Sequence, residues 1–317
     1  MSNSVPRRWC VIGGLFVLVL MSPLQAADVQ AITFGSSDGL KIAADYYPPP
    51  AGRGNAPMAI LLHMYRSDRK SWEPLVTPLH DAGFAVLAID LRGHGESATT
   101  ETRDRVLNRD TKLFRDMQED VRGAYDWLAQ QPGVDRARFA LVGASVGCSI
   151  ALQYAAKDRS VDAIVCLSPG LDYMGLDSAG DLAQVTGRRI LMVATDDERD
   201  APYTLKKISE TVEVKIHNGD KAHGTSMFGV VPNLEKEIAE FLRTGVGEPT
   251  TTTVCGSIER NIYHVPGSEW AAQISSTNLR YYSSSQEAEA RGLRAAKTKK
   301  SSQGKTAERG GSRGGRK

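Results

Sequence analysis

The stretch that decides the fold is Phe139-Ala140-Leu141-Val142-Gly143-Ala144-Ser145-Val146-Gly147-Cys148. The apolar run 139–142 predicts a buried strand, and the residues from 146 to 157 have the pattern of a helix. Between them stands a Gly-x-Ser-x-Gly turn, which exposes its serine at a sharp bend from strand to helix. The glycines lack Cβ atoms where backbone segments approach closely, and the helix N-terminus favours developing negative charge. Ser145 is therefore predicted to be a nucleophile.

Short apolar runs alternate with amphipathic helical stretches on both sides of this turn. The predicted strands are 58–62, 84–89, 139–142, 163–167, 190–194 and 212–216, and the predicted helices are 71–82, 112–131, 146–157, 202–209 and 233–242. Apolar strands separated by helices are typical of a parallel sheet that is covered on both faces. A starting hairpin is predicted from 29–34 and 40–46. We therefore expect an α/β fold with a mostly parallel sheet.

A serine hydroxyl needs a base, and the base needs an orienting carboxylate. In this architecture the acid follows a later strand, and the histidine comes near the end of the domain. His223 follows the last predicted strand and is the predicted base. Asp197 is the predicted acid and Asp196 the alternative, because both follow the run 190–194. Glu198 and Asp200 are expected to be solvated.

Three further segments carry a resemblance to a known family. They are Leu61-Leu62-His63-Met64-Tyr65, the loop from Ala88 to Ser97, and Ala222-His223-Gly224. With the serine turn, they resemble the α/β-hydrolase superfamily over roughly 29–243, near the dienelactone-hydrolase-like and serine-aminopeptidase-like esterases. Dienelactone hydrolases proper use a cysteine nucleophile, which Ser145 replaces. The resemblance implies a serine hydrolase that requires no cofactor.

The resemblance also implies an oxyanion hole made of two backbone N–H groups. Val146 supplies one of them, and Tyr65 supplies the second, with Met64 as the alternative. Alternatively, Tyr65 donates to the oxyanion from its phenol rather than from its backbone N–H. Two positions depart from the family pattern, because Met64 and Cys148 stand where the family usually has glycine.

Charge is distributed unevenly along the 317 residues, whose net charge is +2. Residues 297–317 contain eight Lys/Arg and one Glu, and Arg7 and Arg8 add two positive charges, which leaves 27–296 at about −7. Arg7-Arg8, the apolar run 9–21 and the small residues before Asp28 are typical of a signal peptide. We expect cleavage after Ala26 or Ala27 and a periplasmic or secreted protein without a stable membrane span; an uncleaved anchor is the alternative.

The chain is predicted to consist of a signal peptide (1–26), a catalytic domain (28–243), a linker (244–253), a small module (254–296) and a basic disordered tail (297–317). The module resembles the Ada-type metal-binding module, but Ser268, Ala296 and Lys299 stand at its Cys positions. We therefore expect no metal, and a module stabilised by docking on the hydrolase or partly disordered. The tail could bind an anionic partner; we expect it to be solvated rather than to bind nucleic acid.

These features together predict an exported serine hydrolase that cleaves an ester or related acyl bond of a small soluble substrate. The segment 168–188 occupies the usual position of a lid, and it is short and barely apolar. Two alternatives remain: a peptidase or amidase that uses the same residues, and a binding protein with an impaired oxyanion loop. The oligomeric state and the identity of the acyl group do not follow from the sequence.

Overall fold

The computed structural model describes residues 29–218, 221–248, 253–275 and 278–296. The predicted signal peptide 1–26 and the basic tail 297–317 lie outside the described residues and stay predictions. The same holds for residues 249–252 of the predicted linker.

Fourteen strands are formed by the described residues. They are β1 (Gln30–Gly35), β2 (Lys41–Tyr47), β3 (Ala56–Leu62), β4 (Ala85–Ile89), β5 (Val134–Ala144), β6 (Val161–Leu167), β7 (Asp172–Tyr173), β8 (Leu176–Asp177), β9 (Arg189–Thr195), β10 (Val212–His217), β11 (Val254–Ser257), β12 (Ile262–His264), β13 (Leu279–Tyr282) and β14 (Arg294–Ala295).

The main sheet has eight strands in the order β1-β2-β4-β3-β5-β6-β9-β10. β1 and β2 pair antiparallel, as does β2 with β4, and the other neighbours are parallel. The predicted hairpin and the mostly parallel sheet are therefore confirmed. Since parallel strands end at one edge, this order brings the residues that follow β3, β5, β6 and β9 to the same edge of the sheet.

The helices are α1 (Glu73–Asp81), α2 (Thr100–Leu107), α3 (Thr111–Leu128), α4 (Val146–Lys157), α5 (Ser178–Leu182), α6 (Asp200–Lys206), α7 (Leu234–Gly245) and α8 (Ser285–Ala290). The sequence analysis did not predict α2, because its residues are mostly polar and only Thr102 and Val106 are buried. A capping box formed by Thr99 and Thr102 marks its start. Within the described ranges, no helix is long and apolar enough to cross a membrane.

The core consists of two apolar layers, one on each face of the main sheet. Successive side chains of β3 point to opposite faces, so Ile60 joins one layer and Leu61 the other. The first layer includes Phe114 of α3, and the second includes Leu79 of α1 and Ile238 of α7. This explains why the strands are apolar along their whole length.

The residues after 253 form a separate four-stranded sheet in the order β13-β11-β12-β14. Among the described residues, its buried apolar cluster consists of Val254, Tyr282, Ala288 and Leu293. We call residues 254–296 the C-terminal module. Its contacts with the larger body include two buried arginines: Arg280 donates to Asp158 at 2.5 Å, and Arg291 pairs with Asp162. The described residues of the module are therefore docked on the larger body, which is the first of the two expected possibilities.

Candidate active site

Ser145 lies between β5 and α4 in a strained backbone conformation, with φ 53° and ψ −118°. A non-glycine residue held at such angles stores about 1–3 kcal/mol of strain, which is typical of functional sites. A Cβ on Gly143 would lie 2.3 Å from the carbonyl oxygen of Gly147, and one on Gly147 would lie 2.2 Å from that of Leu62. Both glycines are therefore sterically required for the turn that the sequence predicts.

His223 lies beside a glutamate that the sequence analysis placed in solvent. Its Nδ1 is 2.6 Å from Oε1 of Glu198. Burial raises the pKa of Glu198, but hydrogen bonds from His223 and Ser168 outweigh it, so the pKa lies below its usual value. An ionised Glu198 accepts the Nδ1 proton and leaves Nε2 of His223 free to take another proton.

The prediction of Asp197 as the partner of His223 is corrected by this contact. Asp197 instead accepts a hydrogen bond from the hydroxyl of Thr195 at 2.7 Å, and the alternative Asp196 pairs with Arg199 at 2.8 Å. The three acidic residues form one turn of 3₁₀ helix, in which successive side chains point in directions about 120° apart. Only one of them can face His223. The run of three acidic residues carries no sequence signal that marks Glu198 as the one that faces His223.

Ser168 joins the strand ends at the site, and the sequence analysis missed it. It follows β6 with φ 55° and is almost fully buried. Its N–H donates to the carbonyl of Val193 at 2.7 Å, and its hydroxyl accepts from the N–H of Gly224 at 2.9 Å. The preceding carbonyl, that of Leu167, accepts from the N–H of Ser145 at 2.8 Å. The segment 167–168 thus connects the serine turn to the histidine loop.

The loop after β3 packs directly on the serine turn. A Cβ on Gly147 would lie 3.0 Å from the carbonyl oxygen of His63, and one on Gly224 would lie 3.1 Å from Sδ of Met64. The ring of His63 is buried, donates from Nδ1 to the carbonyl of Met64, and accepts the N–H of Leu91 at Nε2. Burial lowers the pKa of His63 to about 4. This neutral histidine therefore fixes the loop.

The phenol of Tyr65 has partners outside the serine turn. The hydroxyl donates to the carbonyl of Val106 at 3.4 Å, and the ring packs against Phe114 with centroids 6.2 Å apart. Of the two roles considered for Tyr65, this leaves its backbone N–H as the candidate donor. The N–H of Val146 is the first of α4 and has no acceptor within the helix.

The cysteine thiols are buried and do not have the properties of a nucleophile. The Sγ atom of Cys148 lies within hydrogen-bond distance of the carbonyls of Gly143 and Leu167, and burial raises the pKa of its thiol. In the part of the chain that the structure describes, no group of three His, Cys, Asp or Glu side chains is arranged to hold a metal ion. A cavity of about 620 Å³ lies in the C-terminal module, bordered by His264, Trp270 and Arg294, and includes none of the residues around Ser145.

Comparisons with known proteins bear on the fold of this chain. Residues 57–208 match the family model described as serine aminopeptidase, S33. An uncharacterised protein of Mycobacterium tuberculosis is 30% identical over 134 residues, covering 42% of this chain and 43% of that relative. The chain thus spans less than half the length of that relative. The thiohydrolase aneE of Aspergillus aculeatus is 24% identical over 228 residues, covering 70% of this chain and 67% of aneE.

A solved structure with the same architecture is the esterase Pf2001 of Pyrococcus furiosus. It superposes with a TM-score of 0.56 at 18% identity, covering 70% of this chain and 94% of the esterase. At this identity the likeness establishes the fold. The chain therefore has the α/β-hydrolase fold, as the resemblance in its sequence implied.

Proposed function

We propose that this protein is a serine hydrolase that cleaves an ester or related acyl bond of a small soluble substrate. The observation that carries the proposal is the 2.6 Å contact between His223 and Glu198 at the edge of the sheet where the strained Ser145 stands. The nucleophile Ser145, the orienting acid Glu198 and the base His223 follow one another along the chain in the order that this fold requires. The names of the thiohydrolase and the esterase favour acyl chemistry.

The catalytic groups of the proposed reaction all belong to this chain, and water is the second nucleophile. Ser145 Oγ attacks the carbonyl carbon while Nε2 of His223 takes its proton, and Glu198 stabilises the resulting imidazolium. The N–H groups of Val146 and Tyr65 donate to the oxyanion. His223 returns the proton to the leaving group as the acyl bond breaks. Water then attacks the acyl-enzyme by the same proton transfers and releases the acid and Ser145.

The segment between β6 and β9 supports a small substrate. It holds the two-residue strands β7 and β8 and the five-residue helix α5. Within the described residues, no larger apolar cover lies there. Enzymes that act on aggregated lipid generally need one.

Substitutions at the adjacent acids test the proposal with a matched control. Ser145→Ala should lower kcat/KM for short-chain p-nitrophenyl esters by about 10⁴-fold or more and abolish labelling by a fluorophosphonate. Glu198→Gln should lower kcat by about 10³–10⁴-fold, because the amide no longer stabilises the imidazolium. Asp197→Asn should change kcat by less than about threefold, because Asp197 contacts Thr195. Loss of activity in Asp197→Asn but not in Glu198→Gln would reverse the assignment of the acid.

A second candidate function is hydrolysis of aminoacyl amides, which the match to the serine aminopeptidase family favours. The same residues would serve, with an amine as the leaving group. Comparing p-nitrophenyl esters with aminoacyl p-nitroanilides on the same sample distinguishes the two. A protein that a fluorophosphonate does not label would be a binding protein with this fold.

We also propose that the protein is exported, on the basis of residues 1–26. Mass spectrometry of the expressed protein should find a mature N-terminus at Ala27 or Asp28 outside the cytoplasm. Replacing Arg7 and Arg8 with Glu should retain the full-length precursor. An intact N-terminus on the exported protein would indicate the membrane anchor instead.

A further inference from the structure

The short ribbon formed by β7 and β8 is built to hold one side chain in place. Its turn consists of Met174 and Gly175, with φ of 56° and 79°. The carboxylate of Asp172 accepts the N–H of Gly175 at 2.9 Å, and Tyr173 pairs with Leu176 across the ribbon. Positive φ at both central residues is typical of the tightest hairpin turns. The direction of Tyr173 is therefore fixed by the backbone.

Tyr173 extends from this ribbon to the serine turn. Its phenol donates to the carbonyl of Ser168 at 3.4 Å, and the neighbouring carbonyl of Leu167 accepts the N–H of Ser145 at 2.8 Å. The phenol and the nucleophile are thus held by consecutive carbonyls at the end of β6. Burial raises the pKa of Tyr173, while the nearby hydroxyl of Ser145 acts in the opposite direction. The phenol is therefore a neutral group beside Ser145.

The ring of Tyr173 lies over a glycine that leaves room for it. A Cβ on Gly170 would lie 2.6 Å from Cε2 of Tyr173 and 2.7 Å from its Cζ. The three atoms nearest to such a Cβ all belong to the ring of Tyr173, so a side chain at Gly170 would disturb that contact first. The ring is partly buried against the apolar layer that contains Val146. It therefore lies between Gly170 and this apolar layer.

We propose that Tyr173 determines acyl specificity, because its ring forms a wall beside Ser145 that excludes long acyl chains. The inference rests on the proposed function, since it needs an acyl group bound to Ser145. A wall of this kind discriminates by size: each methylene that fits or fails to fit an apolar pocket changes kcat/KM by about 10–200-fold. Because of the contacts at Ser168 and Gly170, the ring cannot move aside without a cost in free energy.

The test measures kcat/KM for p-nitrophenyl acetate and octanoate and compares their ratio among variants. Tyr173→Ala should raise the octanoate-to-acetate ratio by about tenfold or more, mainly through a lower KM for octanoate. Tyr173→Phe keeps the ring and should hold the ratio within about threefold of the wild type. An unchanged ratio in Tyr173→Ala that still reacts with a fluorophosphonate would overturn the inference.

Gly170→Ala gives an independent test that keeps the chemistry of Tyr173. The added methyl group must displace the ring, so the ratio should change by about threefold or more. This variant decides the matter if Tyr173→Ala does not fold, and an unchanged ratio in it counts against the wall. Ser145→Ala separates the two proposals: if it still turns over both esters, the proposed function fails, whereas a failure confined to Tyr173 and Gly170 leaves that function standing.

Discussion

The body of the protein and its C-terminal module are stabilised in different ways. The body has an apolar layer on each face of an eight-stranded sheet, whereas the module has a cluster of four apolar residues. The module compensates with charge. Arg280 is fully buried, donates to Asp158 and lies 4.1 Å from the centre of the Tyr125 ring. Arg291 donates to Asp162 and to the carbonyls of Arg159 and Val161.

The difference follows from size. A piece of about forty residues cannot bury enough apolar surface to offset its loss of conformational entropy. Ion pairs with the body supply a fixed geometry instead, because a buried charge strongly disfavours any arrangement that leaves it unpaired. The fold of the module is therefore stabilised by the surface of the body on which the module docks.

The largest effect is expected at the buried ion pair of Arg280. Arg280→Met leaves the Asp158 carboxylate buried without its guanidinium and should lower the free energy of unfolding by about 3–5 kcal/mol. Urea titration followed by circular dichroism measures it. The double variant Arg280→Met/Asp158→Leu should recover much of the loss, because no charge is then left unpaired. A loss below 1 kcal/mol would mean that the module docks without this pair.

The second largest effect is expected in the body, where the free energy of unfolding should depend on pH through His63. Its pKa of about 4 lies below the usual value of about 6.5, because burial disfavours the charged ring. Its contribution to stability is therefore complete above pH 6.5 and is lost as the pH falls towards 4. Linkage gives a loss of about 2 kcal/mol at pH 5. His63→Gln should show a correspondingly smaller decrease between pH 8 and 5.

Stability at pH 8 serves as the control for His63, because the ring is neutral there in both the folded and the unfolded chain. The difference between the wild type and His63→Gln at that pH is the cost of the substitution itself. Equal decreases in the two proteins from pH 8 to 5 would contradict the assignment.

A smaller effect is expected where the backbones of body and module touch. A Cβ on Gly187 would lie 2.9 Å from the carbonyl oxygen of Ala290, and φ is +69° there. Gly229 has φ +77° but no atom within 4 Å of the added Cβ, so it is a matched control. Gly187→Ala should be more destabilising than Gly229→Ala by about 1 kcal/mol, measured by thermal unfolding. Equal destabilisation by the two substitutions would show that the backbone at Ala290 moves away from the added methyl group without a cost in free energy.

The smallest effect is expected at an exposed ion pair of the body. Nζ of Lys112 and Oδ2 of Asp116 are 2.6 Å apart on the surface of α3. Because water screens them, Lys112→Ala should change the free energy of unfolding by no more than about 0.5 kcal/mol. A loss comparable to that of Arg280→Met would remove the distinction between buried and exposed charge on which the comparison depends.

The sequence predicted the sheet and the serine turn because both depend on local patterns. Strands apolar on both faces indicate a covered parallel sheet, and the helix predicted at 146–157 is the observed α4. The acid was missed because 196–198 are three acidic residues in a row. Their order along the chain says nothing about which of them a 3₁₀ turn directs at His223.

Ser168 and Tyr173 could not be predicted from the sequence for a related reason. Each acts through contacts with residues that are close only in the folded chain, such as Gly224 and the carbonyl of Ser168 itself. The docking of the module depends in the same way on Asp158, which as a lone aspartate after a helix has no special signal.

Helix α4 reaches from one of these regions to the other. Its first turn follows Ser145, and its last residue is followed by Asp158, whose carboxylate stands at the negative end of the helix dipole. The twelve residues of α4 span about 18 Å. Ser145 directly precedes the helix, and Asp158, which pairs with Arg280, directly follows it. A chain shortened to residues 28–243 would keep every group proposed for catalysis but leave that carboxylate facing a vacated surface. Its activity at low temperature would be intact, and the lifetime of that activity on heating would be the property lost.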